Sequence, residues 1–187
     1  AVLNSSQSYG NLVMSNSGIK KLNGDITVAG NWTRNSGPSF DHDTKNVTFT
    51  GATNSLITAP ASSTRDANGA RGGETFYNVY MSKDNTGDQV NLASNITVTN
   101  EIGFVKGAFD CGTGDVTIVS NETKTARVAA ISNIADVSLN YSDTGKFIIQ
   151  RFLPIDPWSS ARRWRLMTAP VSTASTNDVS ISRAWQE

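Results

Sequence analysis

Apolar and hydroxyl-bearing positions alternate in short stretches that return along the chain, each led by an amide or a carboxylate. They read Asp25-Ile26-Thr27-Val28, Asn46-Val47-Thr48-Phe49, Asn95-Ile96-Thr97-Val98, Asp115-Val116-Thr117-Ile118 and Asp136-Val137-Ser138-Leu139. Alternation with period two predicts a strand with one buried and one wet face. Asn11-Leu12-Val13-Met14 and Asn78-Val79-Tyr80-Met81 are looser copies. Consecutive starts stand about 20 residues apart from Asp25 to Asn46, Asn95 to Asp115 and Asp115 to Asp136. A short fixed period predicts a stacked repeat, in which each coil covers its neighbour's apolar edge. The expected fold is all-β: a parallel β-helix (β-solenoid) with coils of about 20 residues over 1–145. A β-sandwich is the alternative, because alternating strands with frequent turns describe it as well.

Two units carry the apolar pattern. Leu12, Met14, Ile19, Leu22, Ile26, Val28, Trp32, Phe40, Val47 and Phe49 are the expected inward positions of the first, and Val79, Met81, Val90, Leu92, Ile96, Val98, Ile102, Phe109, Val116 and Ile118 those of the second. An offset of 70 residues from Leu22 to Trp32, then 69 from Val47 onward, superposes them, with Gly37-Pro38 and Gly107-Ala108 in matched places where a corner needs positive φ. Between the units a loop at about 51–75 leaves the coil, with Leu56-Ile57 expected to stay in register. Such excursions are frequently where binding is done. After Leu139 the pattern changes. Residues 146–187 read as the start of a following β module, with strands at Phe147–Phe152 and Arg162–Met167.

Composition supports exposed β structure. Ser, Thr and Asn form about a third of the chain, and these side chains compete with helical backbone hydrogen bonds. Sixteen cations balance sixteen acids, so no global field draws the chain to nucleic acid or anionic lipid. The single cysteine, Cys111, leaves no intrachain disulfide to form, and no apolar run is long enough to span a bilayer.

Certain segments resemble the large surface and secreted proteins of the Bacteroidota exported by type IX secretion, including gliding-type adhesins. The carriers are Gly30-Asn31-Trp32-Thr33, Phe76-Tyr77-Asn78-Val79 and, above all, Arg151-Phe152-Leu153-Pro154 followed by Arg162-Arg163-Trp164-Arg165-Leu166-Met167-Thr168-Ala169-Pro170-Val171, which is similar to a recurring junction segment of that group. The resemblance implies an extracellular or cell-surface location, the secretion machinery as a partner during export, and a C-terminal sorting domain not seen in residues 150–187. It implies no catalytic residue. The expected function is a structural or adhesive segment of a large surface protein; the alternative is a carbohydrate-binding or polysaccharide-processing β-helix protein.

Candidate chemistry is sparse. Asp41-His42-Asp43 and Asp84-Asn85-Thr86-Gly87-Asp88 offer oxygen donors at alternating positions, which suits Ca²⁺, although the same residues are ordinary turn formers. Trp158, Arg162 and Trp164 could form an aromatic and basic platform for a glycan, against a reading in which Trp164 and Leu166 enter a core. Thr27, Thr48, Thr97, Thr117 and Ser138 would stack along one outer face if all the phrases lie on it, an array able to order water. His42 has no recognisable nucleophile partner, and Cys111 reads as a packed coil residue. The four glutamates show no obvious pairing with another acid, which weighs against an enzyme.

Overall fold

The computed structural model describes residues 1–5, 7–61 and 72–152. Within them the chain winds through short strands in a repeating three-strand order. The first turns hold β1 (Val2–Leu3), β2 (Ser8–Tyr9) and β3 (Leu12–Met14), then β4 (Gly18–Leu22), β5 (Ile26–Val28) and β6 (Trp32–Arg34), then β7 (Pro38–Asp41), β8 (Asn46–Phe49) and β9 (Ser55–Thr58). Next come β10 (Glu74–Ser82), β11 (Gln89–Leu92), β12 (Ile96–Asp110), β13 (Val116–Val119), β14 (Arg127–Val128), β15 (Val137–Asn140) and β16 (Phe147–Gln150). β10 bends across two faces and β12 across all three, with register shifts at Phe76/Asn78 and Met81/Ser82 where the ladder turns.

Every described strand pairing is parallel, and each strand lies beside its counterpart from neighbouring turns. The fold is all-β and solenoid-like. An antiparallel β-sandwich is therefore ruled out: Ile26 sits beside Val47, and Ile96 beside Val116, in one parallel ladder each.

The first face carries β1, β4 and β7, and further along β10, β12, β13 and β16; the second carries β2, β5, β8, β10, β12 and β14. The third carries β3, β6, β9, β11, β12 and β15. One apolar column fills the interior, and all ten expected inward residues of the second unit are buried in it. Of the first unit, Phe40 is partly buried against the column, and Ile19 is the exception at 59% exposed. Leu22 points inward on β4, so strand alternation sends Lys20 to its side and Ile19 to the other. Trp32 packs edge-on against Phe40, Phe49 and Phe76, with centroids 5.0, 6.4 and 5.1 Å away. Phe40 and Phe76 approach to 6.1 Å, joining the interior of the early turns to that of the later ones.

The leading Asn or Asp of each phrase has a specific task at the corners. Asn11 Oδ1 accepts the backbone N–H of Asn31, 20 residues on, and Asn95 Oδ1 accepts that of Asp115, also 20 residues on. On the second face the side chains join each other: Asn46 Nδ2 donates to Asp25, Asn78 Nδ2 to Asn46, and Asn100 Nδ2 to Asn78, at 2.8, 2.7 and 2.7 Å. The step between these bonded corners is 20 to 22 residues in regular turns and rises to 32 and 35 between residues before and after the expected loop.

These corners also show that the phrase marks no single face. Asp25 and Asn46 lead strands on the second face, Asn95 and Asp115 on the first, and Asp136 precedes a strand of the third. The 70-residue correspondence thus relates strands one face apart. Gly107 takes the expected positive φ of 111°, whereas Gly37 does not fall in that region.

Candidate functional site

Three groups of polar side chains interrupt the apolar scheme. The first surrounds Glu74, which opens β10 on the parity of inward Phe76 and is buried. Its Oε2 accepts from Trp32 Nε1 at 3.0 Å and Arg34 Nε at 2.9 Å, while its Oε1 accepts from Thr75 N at 3.2 Å. Arg34 also donates to the carbonyls of Pro38 and Gly73. Burial pushes the Glu74 carboxyl above its ordinary range, and Arg34 and Trp32 pull it back. Gly73 N meanwhile donates to Pro60 O at 3.0 Å. The expected loop at 51–75 is thus shorter than the sequence suggested, since Ser55–Thr58 lies in register as β9 and Glu74–Thr75 already belong to β10, while Pro60 and Gly73 are bonded to each other and Gly73 to Arg34 of the coil. Gly73 can do this at φ 96° because it lacks a Cβ, which would collide with the Asn95 carbonyl.

The second group is Lys83, a buried cation on the parity of inward Met81. Its ammonium donates to Thr50 O, Thr53 O and Ser55 Oγ at 2.7, 2.8 and 2.7 Å. Burial lowers its pKa, and Asp88 and Asp84 oppose that shift.

The third lies on the outside of the second face. Tyr80 is half-buried, and its ring covers Gly103 of the next turn, where a Cβ would meet Cε1 at 2.8 Å. Its hydroxyl donates to Glu101 Oε1 at 2.7 Å, and Arg127 holds Glu101 Oε2 at 2.6 Å. Burial and then Glu101 push the Tyr80 hydroxyl up to about 12. The Tyr80 hydrogen bond and Arg127 lower the Glu101 carboxyl against its own desolvation.

The acidic candidates are arranged as turns. Lys21 Nζ stands 3.2 Å from Asp43 and 3.8 Å from Asp41, and Asp41 Oδ1 accepts the Asp43 N–H. Asp88 Oδ2 accepts both the backbone and side-chain N–H of Asn85, while Asp84 offers its backbone carbonyl to Lys106. Among the described residues no three His, Cys, Asp or Glu converge for a metal ion. His42 lies against Tyr77, 5.8 Å between ring centroids, and its Nδ1 accepts the Thr44 N–H; burial lowers its pKa. Cys111 is buried, and desolvation followed by Asp110 and Asp115 raises its thiol to about 11, which disfavours the thiolate.

The expected single hydroxyl array does not form. Thr27 pairs with Thr48 on the second face, Thr97 with Thr117 on the first, and Ser138 belongs to the third; Thr97 and Thr117 are also buried. Trp158, Arg162 and Trp164 lie outside the described residues. Sequence reading passed over Arg34, Glu74, Lys83 and Tyr80. For the first three the usable signal was parity, since each falls in step with Trp32, Phe76 or Met81. No protein-family model, curated protein or solved structure matches the chain.

Proposed function

We propose that the chain is a structural and adhesive segment of a large secreted or cell-surface protein, built as a parallel β-helix that holds loops or neighbouring modules away from the cell. The observation that carries this reading is the corner ladder Asp25–Asn46–Asn78–Asn100, which ties successive turns through side chains in addition to the backbone. A stack bonded in this way resists separation of its turns and can be lengthened without altering the cross-section. The fastened base of the excursion, through Arg34, Glu74 and Gly73, suits presentation of a loop from a fixed point. Glu74 and Glu101 are each held by an arginine, an arrangement better suited to a scaffold than to acid–base catalysis. Export by type IX secretion and a role in adhesion or gliding motility rest on the sequence resemblance alone.

Antibody labelling and protease shaving of intact cells test the reading. Labelling before lysis, together with weaker attachment of cells lacking the protein, is the expected result. Signal appearing only after lysis would overturn it.

A further inference from the structure

We infer that the outer surface of the second face binds a neutral, gluco-configured polysaccharide, with one sugar ring stacked on Tyr80. The inference rests on the adhesive reading above and gives it a ligand class. Strand alternation places two rows of side chains outward here. One row holds Asp25, Asn46, Asn78 and Glu101, and the other holds Thr27, Thr48, Tyr80 and Gly103.

Tyr80 occupies its place because its successor in the row is glycine. The ring leans over Gly103, and the Glu101 hydrogen bond fixes its hydroxyl, so its plane is set before any ligand arrives. A preset aromatic surface loses little conformational freedom on binding. Sugars whose hydroxyls are equatorial present C–H groups on the ring faces, and those groups pack on an aromatic plane. Their hydroxyls then meet donors and acceptors at the ring edge. Thr48 and Thr27 continue the row from Tyr80, both partly accessible, and the amides of Asn46 and Asn78 run beside them. The turns of Thr48 and Thr27 each add such a pair of polar groups, about 4.8 Å apart along the axis, a track for an extended chain.

Charge selects among glycans. Asp25 and Glu101 bring two carboxylates to the surface, and Arg127 is the cation paired to Glu101. A polyuronate would face uncompensated repulsion at Asp25, whereas a neutral glycan would not.

Affinity electrophoresis in gels containing hydroxyethyl cellulose, xylan, mannan or polygalacturonate tests the site. Hydroxyethyl cellulose or xylan, whose ring hydroxyls are equatorial, should retard the wild-type chain more strongly than mannan, whose 2-hydroxyl is axial. Tyr80→Ala should weaken that retardation about tenfold, while Tyr80→Phe, which keeps the ring on Gly103 but gives up the Glu101 bond that presets its plane, should weaken it less. If Tyr80→Ala does not fold, Thr27→Val with Thr48→Val supplies the test: melting unchanged and binding weakened several-fold. The site is overturned by no retardation in hydroxyethyl cellulose or xylan, by stronger retardation in mannan or polygalacturonate, or by undiminished binding of a folded Tyr80→Ala or of the double valine variant. Undiminished Tyr80→Ala binding with the chain still displayed on intact cells removes this site alone. Absence from the cell surface removes the adhesive reading, whatever the gels show.

Discussion

Asn78 donates through its side-chain amide to Asn46 Oδ1 at 2.7 Å across 32 residues of sequence, and in turn accepts from Asn100 at 2.7 Å. This middle rung joins the turn before the excursion to the turns after it. Asn78→Ala leaves one acceptor and one donor without their partner and should cost about 1–2 kcal/mol. Because the Asn46 and Asn78 contributions share that bond, Asn46→Ala with Asn78→Ala should cost less than the two single changes added together. Denaturant melts of the four proteins measure this; strict additivity would mean that the rung contributes nothing to stability.

The Arg34–Glu74 pair should behave differently from surface ion pairs, since side-chain exposure is 15% and 3%. Arg34→Met leaves a buried carboxylate that, among the described residues, only Trp32 and the Thr75 N–H still hold. A loss of about 3 kcal/mol is expected, as for other buried charges stripped of a partner. Replacing both residues, Arg34→Met with Glu74→Leu, should restore part of it. Equal losses from the single and double changes would show that the apolar surroundings cannot accommodate an uncharged pair.

Acid should reveal Glu101. The Tyr80 hydroxyl and Arg127 hold its folded pKa below the ordinary 4.5. The unfolded chain therefore takes up the proton first. The resulting stabilisation is fully present above 4.5 and disappears as pH falls through the lower folded value. The melting-temperature advantage of wild type over Glu101→Gln should shrink from about pH 6 to about pH 3. An advantage that is constant with pH would sever stability from this carboxylate.

Calcium should have little to do at Asp41 and Asp43. Lys21 already offsets one of the two negative charges, and Asp41 uses an oxygen on the Asp43 N–H. Melting should be the same in EDTA and in added Ca²⁺. A rise in melting temperature with Ca²⁺ that vanishes in Asp43→Asn would place a cation there.

Much of the fold was legible because alternation of period two reports the inward side of each strand directly. Ile26, Val47, Ile96 and Val116 stack as the pattern implies. The leading Asn and Asp were legible as turns, but their bonds were not, because an acceptor reaching 20 residues forward leaves no local trace. Face identity was hidden for a related reason. All three faces bury the same apolar residue types, so superposing Ile26 on Ile96 preserves the alternation while moving from the second face to the first. Glu74 and Lys83 were missed because charge normally signals the outside, and only partners distant in sequence make burial tolerable. Tyr80 as an outward ring follows from alternation, whereas its seat on Gly103 needed the neighbouring turn.

Lys83 gives the sharpest separation of burial from charge. Its ammonium satisfies two carbonyls and a hydroxyl from the segment Thr50 to Ser55, with no carboxylate among the described residues in direct contact. Lys83→Met keeps the length and apolar stem but leaves those acceptors bare, so a loss of about 2–4 kcal/mol is expected near neutral pH. Burial holds the folded pKa below the ordinary 10.5, so the unfolded chain binds the proton more tightly. That preference weakens the folded state at lower pH and fades as pH rises through the folded value toward 10.5. Stability of the wild type relative to Lys83→Met should accordingly increase between about pH 8 and about pH 10, measured by denaturant melts at each pH. Were the difference to shrink instead, Asp84 and Asp88 would outweigh desolvation, and the ammonium would be held by its acidic neighbours despite the absence of contact.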